Sequence, residues 1–279
     1  MIRDLFMPLT GTPGDTPALA AALVLANALP AHLSVVQPFA MPAPTIEPWG
    51  MAPDITELYA ELRGEARAYS ERFRGRLEQA GVSFDLRLAE SLFMEAPEVA
   101  ALQARYADLG VMVAPVNGEP RDRAALRRLF GALLFDSGRP VLAVPPDRPI
   151  EWPIRRAMVA WMPTREATRA LHDALPLLAH AAAVDVVTVE PERGEFGLGD
   201  WPGADIGAHL ARHGVRVETM TLPRQDQAIA GVLLRHAAER GAQLLVAGGY
   251  GHSRFREWML GGVTGELLGA AHVPILFAH

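Results

Sequence analysis

Ile2-Arg3-Asp4-Leu5-Phe6-Met7-Pro8-Leu9 returns half a chain later as Ile154-Arg155-Arg156-Ala157-Met158-Val159-Ala160-Trp161. Each octet carries charge at its second and third residues and continues as an apolar run of strand length, and later segments of the two halves match as well. Gly81-Val82-Ser83-Phe84-Asp85 lies over Gly214-Val215-Arg216-Val217-Glu218, and Ala107-Asp108-Leu109 over Ala242-Gln243-Leu244. Gly138-Arg139-Pro140-Val141-Leu142-Ala143 matches His272-Val273-Pro274-Ile275-Leu276-Phe277. A period this long is a duplicated domain, not a solenoid. The seam is Pro145-Pro146-Asp147-Arg148-Pro149, whose prolines forbid regular structure, so the expected domains are 1–148 and 149–279.

Within each half, short β-branched or apolar runs alternate with longer helical patterns, as in βαβ units around a parallel sheet. The first half reads as strands near 4–9, 32–37, 83–89, 109–114 and 140–144, the second as strands near 155–161, 184–190, 215–221, 243–248 and 273–278. In the helix expected over 54–80, Ile55, Leu58, Tyr59, Leu62, Ala66, Tyr69, Phe73 and Leu77 share one face, which is expected to lie on the sheet. The matching helix of the second half is shorter, about 204–213. The fold class is therefore α/β: two doubly wound domains, each a five-stranded parallel sheet with helices on both faces, and ligands beyond the carboxyl ends of the strands. The closing strands, Val141-Leu142-Ala143-Val144 and Pro274-Ile275-Leu276-Phe277, are apolar edges. They are expected to pair within one chain as a pseudo-dimer, with a further homodimer compatible with the sequence.

Composition narrows the chemistry. The chain has 279 residues, half of them apolar and 21% charged, enough for a large core. It has no cysteine, which removes disulfides, thiolate nucleophiles, iron–sulfur clusters and cysteine-ligated zinc. All 26 basic residues are arginine, so a P-loop lysine and a lysine Schiff base are also excluded. A net charge of −6 argues against nucleic acid as a partner. The longest stretch free of acidic residues and arginine, Thr16 to Ile46, is broken by Asn27, Pro30, His32 and Pro38, and reads as helix, turn and strand rather than a membrane span. With no signal-peptide layout at Met1-Ile2-Arg3-Asp4, a cytoplasmic protein without membrane contact is expected.

One motif carries chemistry. The strand Leu244-Leu245-Val246-Ala247 runs into Gly248-Gly249-Tyr250-Gly251, and nine residues later Gly261-Gly262-Val263-Thr264 opens a helix. Gly248 and Gly251 let backbone approach a bulky anion, while Gly261 to Thr264 offer amide N–H groups, a hydroxyl and the positive helix end. The alternative is a tight turn with close helix–sheet packing. The pattern Gly248-x2-Gly251-x9-Gly261, followed by Val263-Thr264, Pro274-Ile275-Leu276 and the repeated five-strand layout, resembles the universal stress protein family in its tandem form. The resemblance implies a role in stress tolerance and an adenine nucleotide, ATP or a relative with Mg²⁺, as cofactor. It implies that Gly248, Gly251, Gly261, Gly262, Val263 and Thr264 grip phosphates, and that Ala160, Trp161, Met162 and Val189 line the base and ribose pocket. Two positions depart from the family pattern: Met162 stands where an aspartate is usual, and Gly262 where a hydroxyl residue is usual. Each lost hydrogen bond weakens binding by about 1.5–3 kcal/mol, roughly ten- to hundredfold.

The first half reads differently at the same place. Ala114-Pro115-Val116-Asn117-Gly118-Glu119-Pro120 carries two prolines that lack amide donors, and Glu119 and Asp122 repel phosphate. With Thr10 at the position after its first strand, this half is expected to bind no nucleotide.

Other signals point elsewhere. Gly194-Glu195-Phe196-Gly197-Leu198-Gly199 leads into Asp200-Trp201-Pro202 instead of a helix, so it is a surface insert, as is Pro38 to Pro53. No Gly-x-Ser-x-Gly elbow, zinc-type paired-histidine helix or acid–base pair is read, so no catalytic residue and no metal ligand is assigned. His252, Arg254, Arg256 and Glu257 either clamp phosphate or form a solvated loop, Trp258 and Met259 pack, and His236 is a surface or half-buried residue rather than a metal ligand. Three functions remain open: a nucleotide-responsive module, an interaction scaffold of the same fold with unidentified protein partners, and a slow ATP hydrolase.

Overall fold

The structure is a computed structural model that describes residues 1–42, 55–189, 203–249 and 262–279. In the first half, β1 (Asp4–Pro8), α1 (Asp15–Ala28), β2 (His32–Ala40), α2 (Thr56–Ala80) and β3 (Phe84–Ser91) are followed by α3 (Ala96–Ala104), β4 (Leu109–Val113), α4 (Pro120–Asp136) and β5 (Val141–Val144). The second half repeats the series with β6 (Arg156–Ala160), α5 (Arg165–Leu178), β7 (Ala183–Val189), α6 (Ala204–Arg212) and β8 (Val217–Leu222). It closes with α7 (Ile229–Arg240), β9 (Leu244–Gly248), α8 (Gly262–Gly269) and β10 (Ile275–Ala278).

The ten strands among the described residues join one sheet in the order β3-β2-β1-β4-β5-β10-β9-β6-β7-β8. Each half contributes five parallel strands, and the two sets meet where β5 and β10 run antiparallel, Leu142 opposite Leu276. The apolar closing strands thus cover each other's edges within one chain, as their sequence predicts. Phe130 of α4 meets Phe277 of β10 edge-to-face across this junction, 5.2 Å between ring centres, and both rings are fully buried. One apolar core runs through both halves.

Local chemistry fixes the helix ends. Glu95 and Glu98 close a capping box on α3, Pro120 occupies the first turn of α4, and Thr164 accepts the Ala167 N–H at 3.2 Å to start α5. The expected stripe on α2 is buried only toward its end. Phe73 and Leu77 are covered and Tyr69 is half-buried, whereas Leu58 is exposed. The first turns of this 25-residue helix run past the sheet, tethered by the Tyr59 hydroxyl donating to the Pro42 carbonyl and by Arg63 paired with Glu90. Among the described residues, no helix is long and apolar enough to cross a membrane.

Candidate functional site

In the second half the strand order reverses between β6 and β9, and in such sheets ligands are expected at a reversal of this kind, beyond the carboxyl ends of the strands. Ala160, Val189 and Gly248 end β6, β7 and β9, so the three residues line this one edge. Of the described residues that the sequence selects, these three share one edge of the sheet, and Gly262, Val263 and Thr264 stand at the start of α8. Gly251 and Gly261 lie outside the described residues, as do His252, Arg254, Arg256, Glu257, Trp258, Met259 and the Gly194–Gly199 insert. Thr264 is buried, Val263 is half-buried against the core and Gly262 is exposed at the start of α8.

The glycines answer to different demands. A Cβ on Gly248 would stand 2.6 Å from the amide nitrogen of Ala167, in the first turn of α5. Close helix–sheet packing therefore accounts for this glycine, whatever approaches from outside. A Cβ on Gly249 would stand 2.7 Å from Leu134 of α4; its N–H donates to the Ala278 carbonyl at 2.8 Å and its carbonyl faces His279 Nδ1 at 2.9 Å. Gly262 has open space where a Cβ would be but a φ of +72°, so it is required by backbone conformation. The hydroxyl residue usual at this position would be strained here, which gives the departure at Gly262 a local cause. Met162 is half-buried at the exit of β6, where its carbonyl accepts the Thr164 N–H.

The first half handles the same place differently. Beyond β1, the buried Asp15 carboxylate accepts the Thr10 N–H through both oxygens at 3.0 and 2.9 Å and the Gly11 N–H at 3.0 Å. The Thr10 and Tyr69 hydroxyls add bonds of 2.7 and 2.8 Å. An internal anion thus fills the backbone donors at this strand exit. Burial pushes the Asp15 carboxyl above the ordinary aspartate range, against these hydrogen bonds that pull it down, and burial with Asp15 alongside raises Tyr69. Sequence reasoning missed this cluster, because its partner Tyr69 lies 54 residues away.

The connections after the fourth strands differ too. Six residues (114–119) join β4 to α4, against thirteen (249–261) from β9 to α8. Asn117 donates to Asp147 at 3.2 Å beside a cleft of 370 Å³ lined by Val116, Asp147, Arg148, Gly269 and His272, at the junction of the halves. No three His, Asp or Glu side chains among the described residues converge as a ready metal centre.

No protein-family model matches this sequence, and neither does any curated protein. Solved structures do. A universal stress protein from Archaeoglobus fulgidus DSM 4304 superposes with a TM-score of 0.73 at 15% identity, over 99% of this chain and 95% of that one. A putative universal stress protein from Pseudomonas aeruginosa UCBPP-PA14 gives 0.57 at 15% identity, over 99% and 93%. A functionally unknown protein from Pseudomonas aeruginosa PAO1 gives 0.55 at 15%, over 99% and 92%. The chain has the fold of the universal stress proteins along its whole length.

Proposed function

We propose that this chain is a tandem universal stress protein acting in the cytoplasm as a nucleotide-responsive binding module, with one adenine nucleotide in its second half. The observation that carries this reading is the contrast between two strand exits. In the first half a buried carboxylate occupies the donors beyond β1 and a six-residue connection follows β4. In the second half that carboxylate is replaced by Ala167, and thirteen residues with glycines at 249, 251 and 261 lead from β9 to α8.

The described residues suit such a ligand in part. Ala160 and Val189 supply an apolar wall for a base, and the amides that open α8 at Gly262 and Val263 face no helical partner of their own. Gly248 and Gly249 are already committed to α5 and to Ala278, so the phosphate grip falls on Gly251, Gly261 and the start of α8. A nucleotide with Mg²⁺ would bring the negative charge that a helix start stabilises. Calorimetric titration of the full chain with ATP, ADP and AMP is expected to show one site, lost in Gly251→Asp. A flat titration at millimolar nucleotide defeats the reading. Phosphate release that is unchanged in Gly251→Asp and Thr264→Ala would belong to a contaminant, in keeping with a module that is not an enzyme.

A second reading, an interaction scaffold without nucleotide, draws on Met162 at the β6 exit and on a Gly248 already explained by packing. Partner capture indifferent to ATP, joined to a flat titration, selects it.

A further inference from the structure

At the amino ends of the first half's two outer strands, three side chains connect in a line. The His32 ring, at the start of β2, has Nδ1 2.8 Å from the Ser83 hydroxyl and Nε2 2.9 Å from Asp85 Oδ1. Strand register brings them together. Leu33 stands opposite Phe84 and Ser34 opposite Asp85 in the parallel pair of β2 and β3, so His32 and Ser34 share a face with Ser83 and Asp85. Asp85 is itself held from two sides, by the Ser34 hydroxyl donating to Oδ1 at 2.6 Å and by Arg87 Nε, 3.1 Å from Oδ2.

The proton positions follow from the groups. A carboxylate paired with an arginine only accepts hydrogen bonds, so His32 Nε2 carries the ring proton and Nδ1 keeps the lone pair. The Ser83 hydroxyl then donates to Nδ1, which turns its oxygen lone pairs away from the ring. A hydroxyl bonded to a neutral imidazole, whose tautomer a carboxylate fixes on the far side, is the arrangement that makes serine a nucleophile. The ring is used the other way round from a serine protease, with the carboxylate on Nε2 and the hydroxyl on Nδ1. Either nitrogen serves as the base once the other holds the proton.

We propose that Ser83, with His32 as its base and Asp85 as a positioning residue, is a covalent acceptor site for the acyl group of small activated esters. Ser83 Oγ bonds to the acyl carbon as its proton passes to His32 Nδ1. The bond from that carbon to the leaving oxygen breaks, and the leaving group departs with the electron pair and takes up the proton from His32. Ser83 is exposed, and the His32 and Asp85 side chains are 36% and 37% exposed, so water stabilises the acyl oxygen and the donor must bring a weakly basic leaving group. The site lies in the other half of the chain from the proposed nucleotide, and the two readings stand or fall separately.

The fold does not ask for this line. By the repeat, the second half carries Ala183, Arg216 and Glu218 in the places of His32, Ser83 and Asp85. There Asp185 pairs with Arg156 and Arg240 instead. The sequence alone hides the connection, since His32 and Ser83 are 51 residues apart.

The test treats the full chain with p-nitrophenyl acetate and, separately, with a fluorophosphonate that traps reactive serines irreversibly, the adduct being located by peptide mass mapping. Nitrophenolate release that is lost in Ser83→Ala, and one phosphonate adduct per chain on Ser83, are expected. Both rates should rise with pH as an imidazole gives up its proton. His32→Gln should slow them about a hundredfold and flatten that pH profile, and Asp85→Asn should slow them with the circular dichroism spectrum unchanged. Release that is the same in Ser83→Ala, phosphonate found only on other residues, or rates unchanged in His32→Gln overturns the proposal and leaves a hydrogen-bonded strand pair.

Discussion

The fourth strand of each half ends against the first helix of the same half, and the two halves make room there in opposite ways. In the second half the strand gives way: Gly248 ends β9, and the first turn of α5 occupies the space a Cβ would need. In the first half the helix gives way. The strand keeps Val113, and the residue before α1 is Gly14, where a Cβ would stand 2.4 Å from the Val113 side chain. One steric requirement of the fold is thus met by a glycine on either partner. A glycine at a strand exit therefore signals close backbone approach, and the approaching backbone here is the protein's own.

The largest break to this comparison comes at the junction both halves share. Phe277→Ala removes a fully buried ring packed edge-to-face on Phe130 and should cost about 4 kcal/mol in chemical denaturation. If the halves unfold as one unit the transition stays single; two separated transitions would show that the junction couples them.

Next in size is the exchange of glycines. Gly248→Val imposes the first half's solution on the second and should cost about 3 kcal/mol, because the atoms in the way are backbone. Gly14→Ala should cost less, since it meets a side chain, and combining it with Val113→Gly should recover part of the loss. Strict additivity in that cycle would refute the shared contact.

A smaller contrast lies on the second strands. Asp185 on β7 is fully buried and paired with Arg156 and Arg240, which also reaches Glu218. The equivalent on β2 is Ser34, which donates to Asp85 at 2.6 Å. Asp185→Ser should cost about 2 kcal/mol through lost charge-assisted hydrogen bonds, measured by urea denaturation. Little change would mean the part-exposed arginines are as well served by water.

The smallest effect is a slope. The folded-state pKa of Asp15 lies above its unfolded value, so the native chain holds this proton more tightly and stability falls as pH rises through the window between the two. This is opposite in sign to a carboxylate that gains an arginine. Asp15→Asn should remove that component from the pH dependence of denaturation midpoints. An unchanged pH profile would show that Asp15 titrates alike in both states. No such slope is expected from the second half, where Ala167 holds the place.

Much of the fold was legible in the chain. The repeat, the proline seam and the alternation of strand and helix patterns gave ten strands within a few residues of those observed and the pairing of β5 with β10. Gly248, Ala160 and Val189 were placed on one edge because strand ends follow from strand limits. Whether a given glycine serves a ligand, a turn or a neighbouring helix was not legible. Gly248 and Gly262 look alike in sequence, yet one is forced by the nearby Ala167 amide and the other by a positive φ.

The sequence by itself determined the duplicated α/β fold, the exclusion of cysteine and lysine chemistry, and which edge of the sheet the glycine-bearing connection occupies. These depend on local periodicity and residue type, which act over a few neighbours along the chain. Only the tertiary structure decided that Asp15 and Tyr69 close the first half's strand exit, that α5 fills the space beside Gly248, and that His172 meets His209. Those contacts join residues tens of positions apart, and their existence depends on how helices cross one sheet face, a geometry fixed by packing of the whole core.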